Sequence, residues 1–173
     1  AWCAKWMMED TAFALRLFAF GIVEALFFSS SFAVIFYFRS RNLLPGLSAA
    51  NDLISRDEGL HVKFAALLFS KLLDKPDFSI IKKMMEDAMA TELHFIEDTV
   101  PNGLVGITPE AMVTHVESVA DYVLESFGYP RIYMAETPFP FMKLQCLEGK
   151  SNFFERRETS YRRYEKPTFC IDE

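Results

Sequence analysis

The sequence predicts an all-α protein, a helical bundle followed by a polar C-terminal tail. Glycine and proline are scarce, at 7 and 8 of 173 residues, and helix-favouring residues are abundant. Apolar residues recur at helical spacing, and no stretch sustains the period-two alternation of a strand. Because 51% of the residues are hydrophobic, a chain of this length can bury a substantial core within one domain.

Three helices are predicted before residue 100. The first region, 5–38, is helical in one or two pieces and ends ahead of the Pro45–Gly46 break. A second helix is predicted over 49–73, with Ser48 as its N-cap. The third begins after Asp77 or Ser79 and runs to about residue 98.

The fourth helix has the clearest boundaries. Thr108 is the predicted N-cap, Pro109 occupies the first helical position, and Gly128 closes the C-terminus. Regular apolar spacing then fades, and charge dominates after about residue 155. The sequence therefore predicts a helical domain over 1–155 and a flexible tail over 156–173.

The net charge and the cysteine content indicate which binding partners and which cellular compartment to expect. The formal net charge of −6 disfavours a nucleic-acid partner, which requires a clustered positive surface. Three widely spaced cysteines form neither a CxxC pair nor a disulfide framework. A reducing, cytoplasmic location is expected.

Residues 17–38 are long and apolar enough to suggest a membrane span. Glu24 would then lie near the bilayer centre, where a charged side chain costs about 2.5–3.5 kcal/mol on insertion scales. A helix buried inside a bundle gives the same apolar pattern without that cost. The sequence therefore favours a core helix and no membrane partner.

Glu58 and His61 form a Glu-x-x-His motif, which projects both side chains from one side of a helix. Helical bundles use this motif, with lone carboxylates from other helices, to hold two metal ions. Taken alone, the motif is weak, and an exposed glutamate beside a core histidine is the commoner explanation of it. Glu24 favours the metal interpretation, because a buried carboxylate needs a cationic partner. Oxygen and nitrogen ligands suit iron, with manganese as an alternative.

Neighbouring polar residues have other interpretations. Asp57 points away from Glu58 and is predicted to accept a hydrogen bond from a metal ligand. An ion pair with Arg56 is the alternative. His94 and His115 lack a partner motif and are predicted to be ordinary surface or half-buried histidines.

Four stretches together resemble the small subunit of class I ribonucleotide reductase, of the eukaryotic or eukaryotic-virus type. Three of them are "VEALFFSSSFA", "RNLLPGLSAANDLISRDEGLHVKFAALLF" and "PFPFMKLQCLEGKSNFFERR", and the fourth is the tyrosine-bearing acidic tail. The resemblance spans essentially the whole chain. It implies a ferritin-like helical fold and a di-iron centre that generates a tyrosyl radical for the reduction of ribonucleotides to deoxyribonucleotides.

The resemblance also implies a role for each residue of the site. Glu24, Glu58 and His61 match three of the six metal ligands of the family, and the remaining ligands would lie N-terminal to this chain. Asp57 matches the aspartate on the radical and proton path. The apolar pocket around the radical tyrosine is matched by Phe28, Phe32 and Ile54.

The tail carries the partner predictions. Tyr161 matches the tyrosine that relays the radical to the large subunit, and the chain end is expected to dock there through Phe169, Ile171, Asp172 and Glu173. A small-subunit homodimer or heterodimer is also expected. Two alternatives stay open: a ferritin-like iron- or oxygen-binding protein, and a catalytically silent paralogue of the small subunit.

Overall fold

The computed structural model describes residues 2–142, and within that range the regular structure is helical. Leu104 and Ile107 form an isolated antiparallel β-bridge in a connection between two helices. The all-α prediction is therefore confirmed. The helices are α1 (Trp2–Trp6), α2 (Phe13–Ser40), α3 (Pro45–Ser70), α4 (Phe78–Thr99) and α5 (Pro109–Ser126).

Helices α2 and α3 form an antiparallel hairpin that positions the candidate site. Arg39 near the end of α2 pairs with Asp52 near the start of α3. Farther from the loop, about four turns away along α2 and between two and three turns away along α3, Glu24 meets His61. The farther a contacting pair lies from the loop, the more residues separate its two members in sequence. This is the pattern of two antiparallel helices.

Helix α2 is the centre of the core and packs against α3, α4 and α5. Phe18 and Phe69 place their rings against Phe127, edge to face. Gly21 is required beside Phe127, because an added Cβ would lie 2.6 Å from that ring. Of the largest fully buried side chains, Ile107 lies between α4 and α5, and the others come from the four long helices: Phe18, Ile22, Leu26, Phe36, Phe69, Ile81, Met84, Met85, Ile96, Met112 and Leu124.

By length and hydropathy, α2 could also cross a membrane, and it is the one helix in the described range that could. This is weak evidence for a span, because core helices of globular proteins have the same composition. The packing of α2 against three other helices favours the core interpretation.

The beginning of α3 differs from the sequence prediction. The helix starts at Pro45 rather than 49, and Leu44 occupies the N-cap position in a left-handed conformation with φ of 50°. Proline fits the first turn because its missing N–H would have no helical partner there. Ser48 lies inside the helix and donates to the Leu43 carbonyl at 3.3 Å. The helix ends at Ser70, three residues before the predicted end.

The other boundaries agree better with prediction. The first region is in two pieces, since residues 7–12 separate α1 from α2. Thr108 caps α5 by accepting a hydrogen bond from the Ala111 N–H at 3.1 Å. Gly128 has φ of 84°, and its N–H and that of Tyr129 bond back to α5 in the Schellman pattern.

Candidate metal centre

Three predicted ligands come together where α2 and α3 are adjacent. Nδ1 of His61 lies 2.8 Å from a carboxylate oxygen of Glu58 and 3.0 Å from one of Glu24. All three potential ligand atoms lie within 4.8 Å of one another. Glu58 and His61 converge because they are one helical turn apart, and the α2–α3 hairpin brings Glu24 to them.

The cluster lies at an exposed side of the α2–α3 hairpin. The side chains of Glu24 and Glu58 are 14% and 19% exposed, whereas that of His61 is 51% exposed. On α2, the buried Ile22 and Leu26 lie two residues either side of Glu24 and thus about halfway round the helix from it. Glu24 therefore projects away from the core that α4 and α5 form with α2.

The electrostatics of the cluster favour a cation. Partial burial, with Glu58 beside it, raises the pKa of Glu24 above its ordinary value. A hydrogen bond from Glu24, together with the nearby His61, lowers the pKa of Glu58. Hydrogen bonds to Glu24 and then Glu58 raise the pKa of His61. Two adjacent carboxylates repel each other when both are ionised, and a bound cation would relieve that repulsion.

The donor set fits a metal ion of the borderline or hard type. Two carboxylates and one imidazole, whose ligand atoms lie within 4.8 Å of one another, are ligand types that iron and manganese accept. No thiol takes part in this cluster. Three protein ligands would leave open coordination positions on a bound metal ion.

The predicted neighbours of the cluster lie on or near its exposed side. Asp57 is exposed. Phe28 is 38% exposed and its ring centroid lies 6.0 Å from that of Phe32. Ile54, one turn before Glu58, is 50% exposed. These positions agree with a pocket wall that another segment would cover, and the assigned roles stay predictions.

Two buried polar residues were not predicted from the sequence. Glu92 on α4 is 3% exposed and accepts a hydrogen bond from the Ser30 hydroxyl on α2. Burial outweighs that bond and raises the pKa of Glu92 to about 7. Asp121 on α5 accepts hydrogen bonds from the N–H groups of Ile132, Tyr133 and Ala135, which order the turn after α5. Neither residue lies in a recognisable sequence motif.

The structure agrees with the sequence prediction for one of the two other histidines and disagrees with it for the second. His94 is exposed, within 3.8 Å of Glu97 and 3.7 Å of Asp98, as predicted for a surface histidine. For His115 the prediction is wrong, because the side chain is fully buried. Its Nδ1 lies 2.8 Å from the Thr137 hydroxyl, and burial lowers its pKa to about 4. The residues next to His115 in sequence give little indication that it is buried, because its partner Thr137 lies 22 residues farther along the chain.

The predicted tail residues lie outside the described range. They are Tyr161, Phe169, Ile171, Asp172 and Glu173, and the boundary between the domain and the tail at 155 lies there too. Their assignments stay predictions.

The fold and the site together define a class of protein. A helical bundle with a lone glutamate on one helix and Glu-x-x-His on its neighbour has the architecture of ferritin-like metal proteins, in which such side chains project between the helices.

Comparisons with known proteins place the chain within that class. The family model described as "Ribonucleotide reductase, small chain" matches residues 1–140. The chain belongs to this family. The ribonucleoside-diphosphate reductase small chain of Vaccinia virus (strain Ankara) is 43% identical over 162 residues, covering 94% of this chain and 51% of the relative. The tobacco (Nicotiana tabacum) small chain is 44% identical over 162 residues, 94% of this chain and 49% of the relative.

A solved structure supports the same conclusion. The Rnr4 homodimer of Saccharomyces cerevisiae, a ribonucleotide reductase structure, matches with a TM-score of 0.76 and 32% identity, covering 86% of this chain and 49% of that one. The ferritin-like fold prediction is therefore confirmed. The chain spans about half the length of the curated relatives it matches.

Proposed function

We propose that this chain is the C-terminal part of the small subunit of ribonucleoside-diphosphate reductase. In that role it would help to provide the oxidising equivalent for the reduction of ribonucleotides to deoxyribonucleotides. The observation that carries the proposal is the convergence of Glu24, Glu58 and His61 within 4.8 Å, in a chain that belongs to this family.

Glu24, Glu58 and His61 would hold iron, or manganese as the alternative. The bound metal would supply the one-electron oxidation, with oxygen as the oxidant, that generates a radical on a tyrosine. Glu58, whose carboxylate oxygen lies 2.8 Å from Nδ1 of His61, would supply the second carboxylate ligand to the bound metal. The remaining ligands and the radical tyrosine would come from residues N-terminal to this chain.

The residues around the cluster have distinct proposed roles. Asp57 would accept a hydrogen bond on the path that carries an electron and a proton between the metal site and the large subunit. Phe28, Phe32 and Ile54 would exclude water and reductants from the radical, which survives only where no donor can reach it.

The proposed partners are the large subunit and a second small subunit. Tyr161 would relay the radical, and Phe169, Ile171, Asp172 and Glu173 would dock the tail on the large subunit. The yeast Rnr4 protein forms a homodimer, which supports pairing of small subunits here, as a homodimer or heterodimer. A cytoplasmic location is part of the proposal.

A chimera tests the function. Residues 1–140 would replace the matching stretch of the vaccinia small chain, whose own remaining residues supply the rest of the subunit and the docking tail. Reconstituted with iron and the vaccinia large subunit, the chimera should reduce a ribonucleoside diphosphate and show the optical signature of a tyrosyl radical. The Glu58→Ala chimera should fold but do neither.

The two alternative functions are outcomes of the same experiment. A folded chimera that binds iron but supports no reduction would contradict the proposal and favour an iron- or oxygen-binding function. A folded chimera that binds no iron would identify a catalytically silent paralogue. The intact ligands Glu24, Glu58 and His61 argue against the silent paralogue.

A further inference from the structure

We propose that Glu92 on α4 is a positioning residue for the candidate metal centre: its hydrogen bond with Ser30 fixes the rotation of α2 about its own axis and so places Glu24 beside Glu58 and His61. The inference rests on the proposed metal centre and does not depend on nucleotide reduction. Glu92 contacts the core side of α2, whereas Glu24 projects away from that core. Glu92 therefore acts through α2 and not as a ligand.

Glu92 lies in the middle of the buried face of α4. The apolar members of that face stand three, four or seven residues from it: Met85, Ala88, Met89 and Ile96. Glu92 is 3% exposed, and its partner Ser30 is 2% exposed. An apolar side chain of similar volume is often neutral or stabilising in place of a buried charge. Packing alone therefore does not account for a glutamate at this position.

The hydrophobic pattern of α2 specifies its rotation only weakly. Glu24 is the single charged residue between residues 17 and 38. Large apolar side chains lie on the core side, as Ile22 and Leu26 do, and also on the side of Glu24, where Phe28 is 38% exposed. A helix that is apolar on all sides loses little burial when it turns. A buried polar pair favours one orientation, because every other orientation leaves a polar group without its partner.

The contact is close enough to Glu24 to control its position. Ser30 follows Glu24 by six residues, about 9 Å along the helix axis. The ion pair of Arg39 with Asp52 also anchors α2, but Arg39 lies 15 residues from Glu24. Side chains extend about 5–6 Å from the axis, so a rotation of about 10° moves the Glu24 carboxylate by about 1 Å. Functional sites must be held within about 0.5 Å of their working geometry, so this displacement would weaken metal binding.

The chemistry of the pair shows which substitutions preserve it. The Ser30 hydroxyl donates to a carboxyl oxygen of Glu92. Burial raises the pKa of Glu92 to about 7, and an oxygen of either the neutral or the ionised form accepts this hydrogen bond. The amide oxygen of glutamine accepts in the same way. The neighbouring Ser29 hydroxyl instead donates to the Leu26 carbonyl of its own helix, at 2.7 Å.

The vaccinia chimera, as a complete subunit, is the protein in which to test the inference. Three variants are compared with the parent chimera: Ser30→Ala combined with Glu92→Met, Glu92→Gln alone, and Ser29→Ala alone. The double variant removes both partners and leaves an apolar contact between α2 and α4. Glu92→Gln removes the same charge but keeps the acceptor, and Ser29→Ala removes a buried hydroxyl that makes no hydrogen bond to α4.

The measurements are the affinity of the metal-free chimera for Mn(II), by electron paramagnetic resonance, and the midpoint of urea denaturation at pH 7.5. The double variant should bind Mn(II) about tenfold more weakly, a loss typical of residues that orient metal ligands, while its midpoint is no lower than that of the parent. Glu92→Gln and Ser29→Ala should bind Mn(II) within about twofold of the parent. Loss of affinity without loss of stability indicates positioning, because a purely structural role lowers both.

Four results would overturn the inference. The first is a folded double variant that binds Mn(II) as tightly as the parent. The second is a double variant whose stability falls together with its affinity, which indicates a structural role only. The third is a loss of affinity in Glu92→Gln equal to that of the double variant, which assigns the effect to charge. The fourth is an equal loss in Ser29→Ala, which assigns it to general packing of α2.

Failure of the proposed function gives a different result. A parent chimera that binds Mn(II) but reduces no ribonucleotide after loading with iron contradicts the proposed function, and the comparison of Mn(II) affinities among the variants still decides the role of Glu92. A folded parent chimera that binds no Mn(II) overturns both the metal assignment and the positioning role.

Discussion

At the scale of single residues, three side chains that converge from two helices form the candidate metal centre. The sequence alone identified Glu24, Glu58 and His61, because a charge inside an apolar helix and a Glu-x-x-His motif are both visible in the order of residues. Their distances required the structure, since 37 residues separate Glu24 from His61. The pairing depends on the register of the α2–α3 hairpin, which no local pattern specifies.

The first prediction concerns His61. Replacing His61 with alanine should weaken Mn(II) binding at least about 100-fold, equivalent to about 2.7 kcal/mol, because it removes one of three ligands and the single nitrogen donor among them. Isothermal titration measures the affinity. His94→Ala is the matched control, since His94 is also an exposed helical histidine beside carboxylates. Equal losses in both variants would contradict the assignment.

The second prediction concerns Asp57, which is exposed and lies beside the cluster in sequence. In the vaccinia chimera, Asp57→Asn should leave iron content unchanged and lower turnover with the large subunit at least tenfold. Asparagine keeps the size and hydrogen-bonding capacity of the side chain but cannot carry the charge that proton transfer requires. Metal analysis and a reductase assay separate the two effects. Loss of iron from a folded variant would make Asp57 a ligand instead.

At the scale of elements, the helix pattern was largely predictable from the sequence, and the boundary of α3 was not. Thr108, Pro109 and Gly128 marked the ends of α5 because each has a strong local preference. Ser48 has the same preference for a cap, yet Pro45 starts the helix earlier, and Leu44 takes a left-handed conformation that local preference disfavours. The contacts of α3 with α2 outweigh that local preference.

The contact between α2 and α4 leads to the third prediction. Glu92 has a pKa of about 7 in the folded chain and about 4.5 when unfolded, because burial favours its neutral form. A raised pKa stabilises the fold fully below about pH 4.5, and this contribution is lost as the pH rises through about 7. The loss is on the order of 2–3 kcal/mol.

Chemical denaturation of the parent chain and of Glu92→Gln at pH 5 and pH 8 measures this effect. Glutamine keeps a hydrogen-bonding group for Ser30 but does not ionise. The free energy of unfolding should therefore fall less for Glu92→Gln than for the parent between the two pH values. The burial of His115 works in the opposite direction below pH 6.5, which is why pH 5 and 8 are compared in both proteins. Identical pH dependence would show that Glu92 is not buried as described.

At the scale of the whole molecule, the described helices and the tail have separate proposed roles. The fourth prediction compares Tyr161→Phe with deletion of 167–173 in a complete subunit that carries this chain's own tail. Phenylalanine cannot form a phenoxyl radical, so Tyr161→Phe should abolish nucleotide reduction and leave affinity for the large subunit within about twofold. The deletion should instead weaken association at least tenfold, because it removes the apolar anchors.

Affinity by surface plasmon resonance and turnover at saturating subunit concentration separate the two effects. Excess small subunit should partly restore activity to the deletion variant and not to Tyr161→Phe. Parallel losses of affinity and turnover in both variants would mean that the tail is one docking element, without a separate relay at Tyr161.

Anomalous X-ray diffraction shows where a metal ion binds and therefore tests whether Glu24, Glu58 and His61 are its ligands. Crystals grown with Mn(II) should show an anomalous peak within about 2.0–2.3 Å of carboxylate oxygens of Glu24 and Glu58 and of a ring nitrogen of His61. The peak should be absent from His61→Ala crystals or greatly reduced in them. If the chain is ordered and folded but its only anomalous peaks lie away from these three side chains, Glu24, Glu58 and His61 are not the metal ligands.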